Sequence, residues 1–241
     1  MRKFGKKVLL WFWVLDYCRA RKESSQLPAG STVLIHIGKC GGSTLRNGLK
    51  NAVRNSEVHT VHIKKPIYRN DLKYIIVARG PLSRLHSAFR WRYRLVVTDG
   101  TQRDRFKGEY SVLVKYGSLN RLAEALYHKD GRANINAQQE IRRIHHIRED
   151  ISYYLDDLLS KCHPNQIEGV LLQENLDEDI LRVFGYENEL RKKMNPVSAE
   201  DDALSEIGLR NLMTFFMKDY EALVTLYCWG KIEREVLIRA I

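Results

Sequence analysis

An apolar run that leads into a glycine-rich loop constrains the fold of this chain more than any other feature. Residues Thr32–Ile37 (TVLIHI) are almost all apolar or β-branched, which is the pattern of a strand buried on both faces. Three further runs, Val58–Ile63, Lys73–Ala78 and Gly169–Leu172, have a similar character. Segments with helical periodicity separate these runs, and strands that alternate with helices form a parallel sheet. The sequence therefore predicts an α/β fold with a central parallel sheet flanked by helices.

Proline, glycine and the spacing of apolar residues indicate where helices begin and end. Pro81 suits the first turn of a helix, and Gly185 suits the end of a helix over Leu176–Phe184. Apolar residues in helical register predict one long helix over Asn136–Lys161 and another over Ser205–Tyr227.

Length and composition indicate one folded domain. The chain has 241 residues and is 44% hydrophobic, so it can bury a sizeable core. Glu23–Ser31 is rich in serine, proline and glycine. We therefore place the domain at residues 32–241, after an N-terminal segment and linker at residues 1–31. No CxxC pair occurs among the four cysteines, which argues against a zinc or dithiol site.

The chain is strongly basic, and its N-terminus combines basic and apolar residues. The formal net charge of +11 favours an anionic partner, such as nucleic acid, anionic membrane, acidic saccharide or a polyphosphate nucleotide. Met1–Lys7 is basic, whereas Val8–Leu15 is apolar but much shorter than the roughly 20 residues that span a bilayer. Residues 1–21 are consistent with a helix at a membrane surface, a short signal-anchor or a docking helix. A membrane-associated and a cytoplasmic location both stay open.

The glycine-rich loop has the composition of a phosphate site. It lies between the first strand and a predicted helix, so its backbone can approach a ligand closely at a helix N-terminus that attracts anions. Lys39 adds a mobile cation, and Ser43 and Thr44 add hydroxyl donors. The loop is not a Walker A motif, because Lys39 precedes the pair Gly41 and Gly42 instead of following it. The arrangement predicts a P-loop-like three-layer fold that binds a phosphorylated nucleotide.

A second candidate anchor follows the third strand. Arg79 lies at the carboxyl end of that strand, where ligands of parallel sheets bind, and Ser87 lies two turns into the next helix. An arginine fork and a hydroxyl can clamp a second phosphate, with Arg84 near the same face. The alternative is a solvated basic helix, since further arginines follow at 90, 92 and 94.

These two segments together resemble a known family. HIGKCGGSTL and RGPLSRLHSAF are similar to the signature elements of sulfotransferases that use 3′-phosphoadenosine 5′-phosphosulfate (PAPS). The resemblance is strongest to membrane-associated carbohydrate sulfotransferases. This chain departs from their usual pattern at Gly38, Cys40 and Phe89, where many members have Pro, Thr and Tyr. The later segment LQENL and the pair Asp219-Tyr220 carry a weaker resemblance.

The resemblance implies specific roles. The 5′-phosphosulfate would be held by six loop residues, namely Lys39, Cys40, Gly41, Gly42, Ser43 and Thr44. Arg79 and Ser87 would hold the 3′-phosphate. The implied activity is sulfuryl transfer from PAPS, without a metal, to a carbohydrate or other hydroxyl-bearing acceptor that can be anionic.

The sequence identifies the base that deprotonates the acceptor less specifically than it identifies the phosphate sites. His62, near the carboxyl end of the second strand, is our first choice because histidine titrates near neutral pH. A surface or core histidine is the alternative for His62. We expect His36 to be structural, and we expect His145 and His146 to form a partly exposed pair on the long helix.

The sequence leaves two other functions open. A kinase with an atypical phosphate loop would need Mg²⁺ and a carboxylate to hold it. A non-catalytic module of the same fold at a membrane surface would bind no donor. We do not expect nucleic acid as a partner, because the arginine-rich helix is explained by an anionic donor. The acceptor contacts are expected in Val96–Lys115 and on the face of the predicted long helix.

Overall fold

A computed structural model of the chain describes residues 18–41, 58–185 and 203–241. Several predictions concern residues outside these ranges. They include the roles of Gly42, Ser43 and Thr44, the helix after the glycine-rich loop, and the basic and apolar segments within residues 1–17.

A four-stranded parallel sheet forms the centre of the fold. The strands are β1 (Thr32–His36), β2 (His59–His62), β3 (Lys73–Ala78) and β4 (Ile167–Leu172). Their order is β2-β1-β3-β4, and every pairing is parallel. The predicted α/β fold with a central parallel sheet flanked by helices is confirmed. Because all four strands run the same way, their carboxyl ends meet at one edge, where ligands of such sheets bind.

The helices follow mainly after β3. Between residues 81 and 159, one π-helical turn (Arg94–Thr98) accompanies α1 (Pro81–Tyr93), α2 (Glu109–Tyr116), α3 (Leu119–Ala125), α4 (Ile135–Ile141) and α5 (Ile151–Leu159). Later in the chain are α6 (Leu176–Phe184), α7 (Glu206–Phe215), α8 (Met217–Cys228) and α9 (Arg234–Ala240). Pro81 begins α1 and Gly185, with φ of 72°, ends α6, so both predicted boundaries are confirmed.

The predicted long helix over Asn136–Lys161 is wrong. The chain leaves the helix after Ile141 and re-enters one at Ile151. His146 between them has a φ of 66°, which a right-handed helix cannot contain. Asp150 then caps the new helix, because its carboxylate accepts the amide N–H of Tyr153 at 2.7 Å.

The predicted helix over Ser205–Tyr227 is also divided. Phe216, with φ of −104° and ψ of 25°, separates α7 from α8. Asp219 in the first turn of α8 is buried, and its carboxylate accepts the amides of Ile151 at 3.2 Å and Ser152 at 2.8 Å. After the break at Phe216, α8 therefore contacts the first turn of α5 through the carboxylate of Asp219.

The buried apolar residues form two clusters. The first contains the strands together with residues of α5, α6, α8 and α9. The second contains no strand residue and is built from α1, the π-helical turn, α2, α3, α4, α7 and residues next to them. Helix α1 directly follows β3, so it connects the sheet to this second, helical cluster.

The segment before β1 packs against the domain. Residues 18–25 are helical, and the Lys64 ammonium lies 3.1 Å from the Glu23 carboxylate. The Arg69 guanidinium donates a hydrogen bond to the carbonyl of Leu27 at 3.0 Å. No helix within the three described ranges is long and apolar enough to cross a membrane.

Candidate functional site

The loop after β1 has the backbone geometry of an anion site. Lys39 has a φ of 73° and Gly41 a φ of 81°, whereas Cys40 between them does not have a positive φ. Alternation of this kind turns successive N–H groups toward one side and forms a concave anion-binding nest. The loop lies at the carboxyl end of a central strand, which is the edge of the sheet where ligands of parallel sheets bind.

Cys40 contributes to this loop through its main chain. Its side chain is fully buried in the core, with Sγ 3.7 Å from the carbonyl oxygen of Gly38. Burial raises the pKa of the thiol to about 12. A buried, protonated thiol packs instead of reacting, so only the N–H group of Cys40 can serve an anion.

Lys39 lies in a cluster of cations. Its Nζ sits 4.5 Å from the centroid of the Trp91 ring, and the guanidinium of Arg94 lies 4.7 Å from the same centroid. Burial, followed by the charges of Arg79 and Arg94, lowers the pKa of Lys39 to about 8. Positive charges that disfavour one another in this way are stabilised by an anion between them.

Arg79 lies directly after β3, as its place in the sequence requires, and the hydroxyl group that it contacts is that of Ser83. The Nε group of Arg79 donates to the Ser83 hydroxyl at 2.9 Å, and that hydroxyl donates to Glu174 Oε1 at 2.9 Å. The Gly80 N–H also donates to Glu174 Oε1, at 3.0 Å. Within the described chain, the terminal amino groups of Arg79 make no hydrogen bond. They are the groups with which arginine grips a phosphate.

Ser87 lies one turn beyond Ser83 on the same face of α1. It is half-buried, and no hydrogen bond joins it to another described residue. Helical spacing continues this face to Trp91 and Arg94, so α1 and its π-helical end present one side to Lys39.

Arg84 does not belong to the ligand-facing side, and the expectation that it lies near the second phosphate is wrong. Its side chain is fully buried. Nε donates to the Gly38 carbonyl at 3.0 Å, and Nη2 donates to the carbonyls of His146 and Glu149. Nη1 is buried without a hydrogen-bond partner among the described residues. Arg84 therefore holds the loop through the carbonyl group of Gly38 and adds a positive charge next to it.

His62 lies beside the first strand. Residues His36 and His62 are paired in the sheet, and their rings stack with centroids 4.3 Å apart. Nδ1 of His62 is 2.9 Å from the carbonyl oxygen of His36, which can only accept, so Nδ1 carries the proton. Nε2 is then the nitrogen with a free lone pair, as a general base requires. No contact between His62 and Lys39 is seen in the described chain.

His62 also lines a cleft of about 130 Å³ between β2 and the helical residues before β1. His59, Lys64 and Lys65 share its wall. Because β2 is the edge strand of the sheet and is paired with β1, the cleft lies at this edge of the sheet.

The expectation of a partly exposed pair at His145 and His146 is wrong. Neither residue is helical, and His145 is buried with its ring stacked on Phe106. His146 lies directly against Gly38, since a Cβ atom added to Gly38 would be 2.8 Å from its Nδ1. Sequence reasoning missed this contact because it joins residues more than 100 positions apart and depends on the break after α4.

Backbone strain is concentrated around the same edge of the sheet. The non-glycine residues with positive φ in the described chain are Lys39 (73°), Ile63 (62°) and His146 (66°). Ile63 directly follows His62, and His146 contacts the loop that contains Lys39. Such conformations cost about 1–3 kcal/mol each and cluster at functional sites. The strain marks this edge as the candidate site independently of charge.

Comparisons with models of protein families, with curated proteins and with solved structures found no match. No group of three or more potential metal-ligating side chains occurs within the described ranges.

Proposed function

We propose that this chain is a sulfotransferase that moves a sulfuryl group from PAPS to a hydroxyl group of an acceptor, with a carbohydrate as the preferred acceptor class. One observation carries the proposal. Two cationic anchors, Lys39 and Arg79, follow the adjacent parallel strands β1 and β3 and lie near enough for Arg79 to lower the pKa of Lys39.

The donor matches these anchors in number and charge. PAPS has a 5′-phosphosulfate and a separate 3′-phosphate, so a site for it needs two anion-binding positions. The loop after β1 offers backbone N–H groups and Lys39, and the segment after β3 offers the terminal amino groups of Arg79, which make no hydrogen bond to another described residue. Arg84 and Arg94 add further positive charge near Lys39. A nucleotide with a single phosphate group would leave one anchor unused.

The chemistry follows from this arrangement. The acceptor oxygen attacks sulfur and forms a new S–O bond, while the S–O bond to the 5′-phosphate breaks and adenosine 3′,5′-bisphosphate leaves. Lys39 stabilises the charge that develops on the leaving phosphate oxygen. Nε2 of His62 takes the proton of the acceptor hydroxyl, because Nδ1 is held by the His36 carbonyl. Positioning and electrostatics supply most of the catalysis in such a reaction.

Adenosine 3′,5′-bisphosphate is the direct probe of donor binding. At a concentration of 100 Kd, a ligand specific for the native state adds about 2.7 kcal/mol to the free energy of unfolding. For a chain of this size we expect the Tm to rise by roughly 5–10 °C. ATP should produce a much smaller shift. An unchanged Tm with the bisphosphate, together with no binding by calorimetry, would contradict the proposal.

Transfer is then tested with radiolabelled PAPS and a panel of saccharide, lipid and tyrosine-peptide acceptors, in the presence of EDTA. Label on an acceptor supports the sulfotransferase. Phosphoryl transfer from ATP that EDTA abolishes would instead support the kinase. Liposome binding through residues 1–21 without donor binding would support a non-catalytic module.

Arg79→Ala tests the second anchor. Because a hydrogen bond to a charged group is worth about 1.5–3 kcal/mol, we expect the Kd for adenosine 3′,5′-bisphosphate to rise about 10- to 100-fold. Arg210→Ala, on the exposed face of α7, is the matched control and should bind like the wild type. If Arg79→Ala keeps wild-type affinity, the second anchor is incorrect.

A further inference from the structure

The contact between His146 and Gly38 is unusually close for two segments so far apart in sequence. A Cβ atom at Gly38 would lie 2.8 Å from Nδ1 and 3.5 Å from Cε1 of His146. Gly38 does not have a positive φ, so its backbone alone would accept other residues. A side chain at the start of the phosphate loop would therefore require the imidazole to shift.

The backbone of His146 is clamped on both sides. Its N–H donates to Glu149 Oε2 at 2.8 Å, and its carbonyl accepts from Arg84 Nη2 at 2.7 Å. The same guanidinium donates through Nε to the carbonyl of Gly38 at 3.0 Å. Arg84 thus fixes the distance between Gly38 and His146, and Glu149 fixes the strained turn that aims the imidazole at the loop.

The surroundings keep this imidazole uncharged. Burial, then His145, Lys39, Arg84 and Arg92, lower the pKa of His146 to about 2. A neutral ring can fill the space behind the loop and exclude water from Lys39 without adding a further positive charge to the cluster.

We propose that His146 is a positioning residue of the phosphate loop, whose clamped imidazole buttresses Gly38 and holds the backbone in the conformation that presents Lys39 to the donor. The role in donor binding rests on the proposed function. The buttress itself is a property of the free protein.

His146→Gly removes the imidazole without adding backbone strain. Glycine adopts a φ of 66° freely, so the turn is kept, while loss of the packed ring should lower the Tm modestly. We expect the Kd for adenosine 3′,5′-bisphosphate to rise about tenfold or more, because the backbone that presents Lys39 is no longer held. A merely structural role would lower the Tm and leave the Kd unchanged. His128→Gly, at an exposed turn, is the control and should retain both Tm and Kd.

Gly38→Ala tests the contact from the other side. The added methyl group would collide with the imidazole, and we expect the Kd to rise about tenfold or more. In the double variant Gly38→Ala/His146→Gly the collision is gone. Its Kd should match that of His146→Gly alone. If the two changes instead multiply, the residues act separately and the inference is overturned.

A ligand-free measurement distinguishes failure of this inference from failure of the proposed function. Carbon-13 NMR of the reductively methylated protein reports the pKa of Lys39, with Lys39→Arg to assign the resonance. In His146→Gly the lysine pKa should rise toward its ordinary value as water enters. A wild type that binds no bisphosphate but shows this shift would overturn the function and keep the buttress. Unchanged pKa and Kd values in both single variants would overturn the buttress alone.

Discussion

At the scale of single residues, the proposed mechanism depends most on Lys39. A lysine on a solvated loop is charged at any physiological pH. Here burial and the neighbouring charges of Arg79, Arg94 and Arg84 lower its pKa to about 8. Cys40 is the acidic neighbour, but its thiol is itself buried and protonated. Among the described cations of the cluster, Lys39 is therefore the one whose charge a rise in pH can remove.

The pH dependence of donor binding tests this property. Below pH 8 Lys39 is protonated and attracts the anion, and above pH 8 it becomes neutral. The Kd for adenosine 3′,5′-bisphosphate should therefore be constant from pH 7 to about pH 8 and then rise by up to about tenfold per pH unit. Calorimetric titrations between pH 7 and 9.5 measure this. Lys39→Arg stays charged and should lack the alkaline rise. A wild-type Kd that is flat up to pH 9.5 would contradict the assignment.

At the scale of elements, α1 joins the site to the helical cluster. One face carries Ser83, Ser87 and Trp91, while the opposite side buries Arg84 and Arg92. Burying two guanidinium groups is costly, and the cost falls as their N–H groups are paired. Arg92 is paired with a carboxylate, whereas Arg84 donates to backbone carbonyls and keeps a buried Nη1 without a hydrogen-bond partner among the described residues.

The Arg92–Glu109 pair gives a prediction about this element. Nε and Nη2 of Arg92 donate to the two oxygens of Glu109 at 2.9 and 2.7 Å, and both side chains are buried. Glu109 also accepts the His145 N–H at 2.8 Å. Glu109→Gln leaves a buried cation unpaired, so we expect a loss of about 3–5 kcal/mol in the free energy of unfolding.

Urea unfolding followed by circular dichroism measures this loss. Glu221→Gln on the exposed face of α8 is the matched control and should change the unfolding free energy by less than about 0.5 kcal/mol. A similar small change in Glu109→Gln would show that the pair contributes little to holding α1 against α2.

At the scale of the whole molecule, the charge of +11 favours anionic ligands, and the sheet gathers part of this charge at one edge. Long-range attraction of this kind is screened by salt. The Kd for adenosine 3′,5′-bisphosphate should rise roughly tenfold between 50 mM and 500 mM NaCl, because the Debye length falls well below the size of the site. Lys39→Ala should show a smaller dependence on salt. Equal salt dependence in both proteins would place the bound anion elsewhere.

The sequence by itself determined the strands, the parallel sheet and the positions of Lys39 and Arg79 directly after β1 and β3. These depend on local signals: uninterrupted apolar runs, glycines, Pro81, and charged residues directly after a strand. A short run of β-branched residues has few alternatives to a buried strand, and parallel strands bring their carboxyl ends together.

Only the tertiary structure decided which side chains meet at that edge. Arg84 was expected near the ligand, but α1 turns it inward to the carbonyls of Gly38, His146 and Glu149. Arg79 donates to Ser83, whose hydroxyl donates to Glu174 just after β4, and local sequence signals do not predict this pair of contacts. The break after α4 has the same kind of cause. Apolar periodicity favours one helix there. Hydrogen bonds with the side chains of Arg84 and Asp219 instead satisfy backbone groups at the break. Periodicity does not predict these bonds, because the partners are distant in sequence.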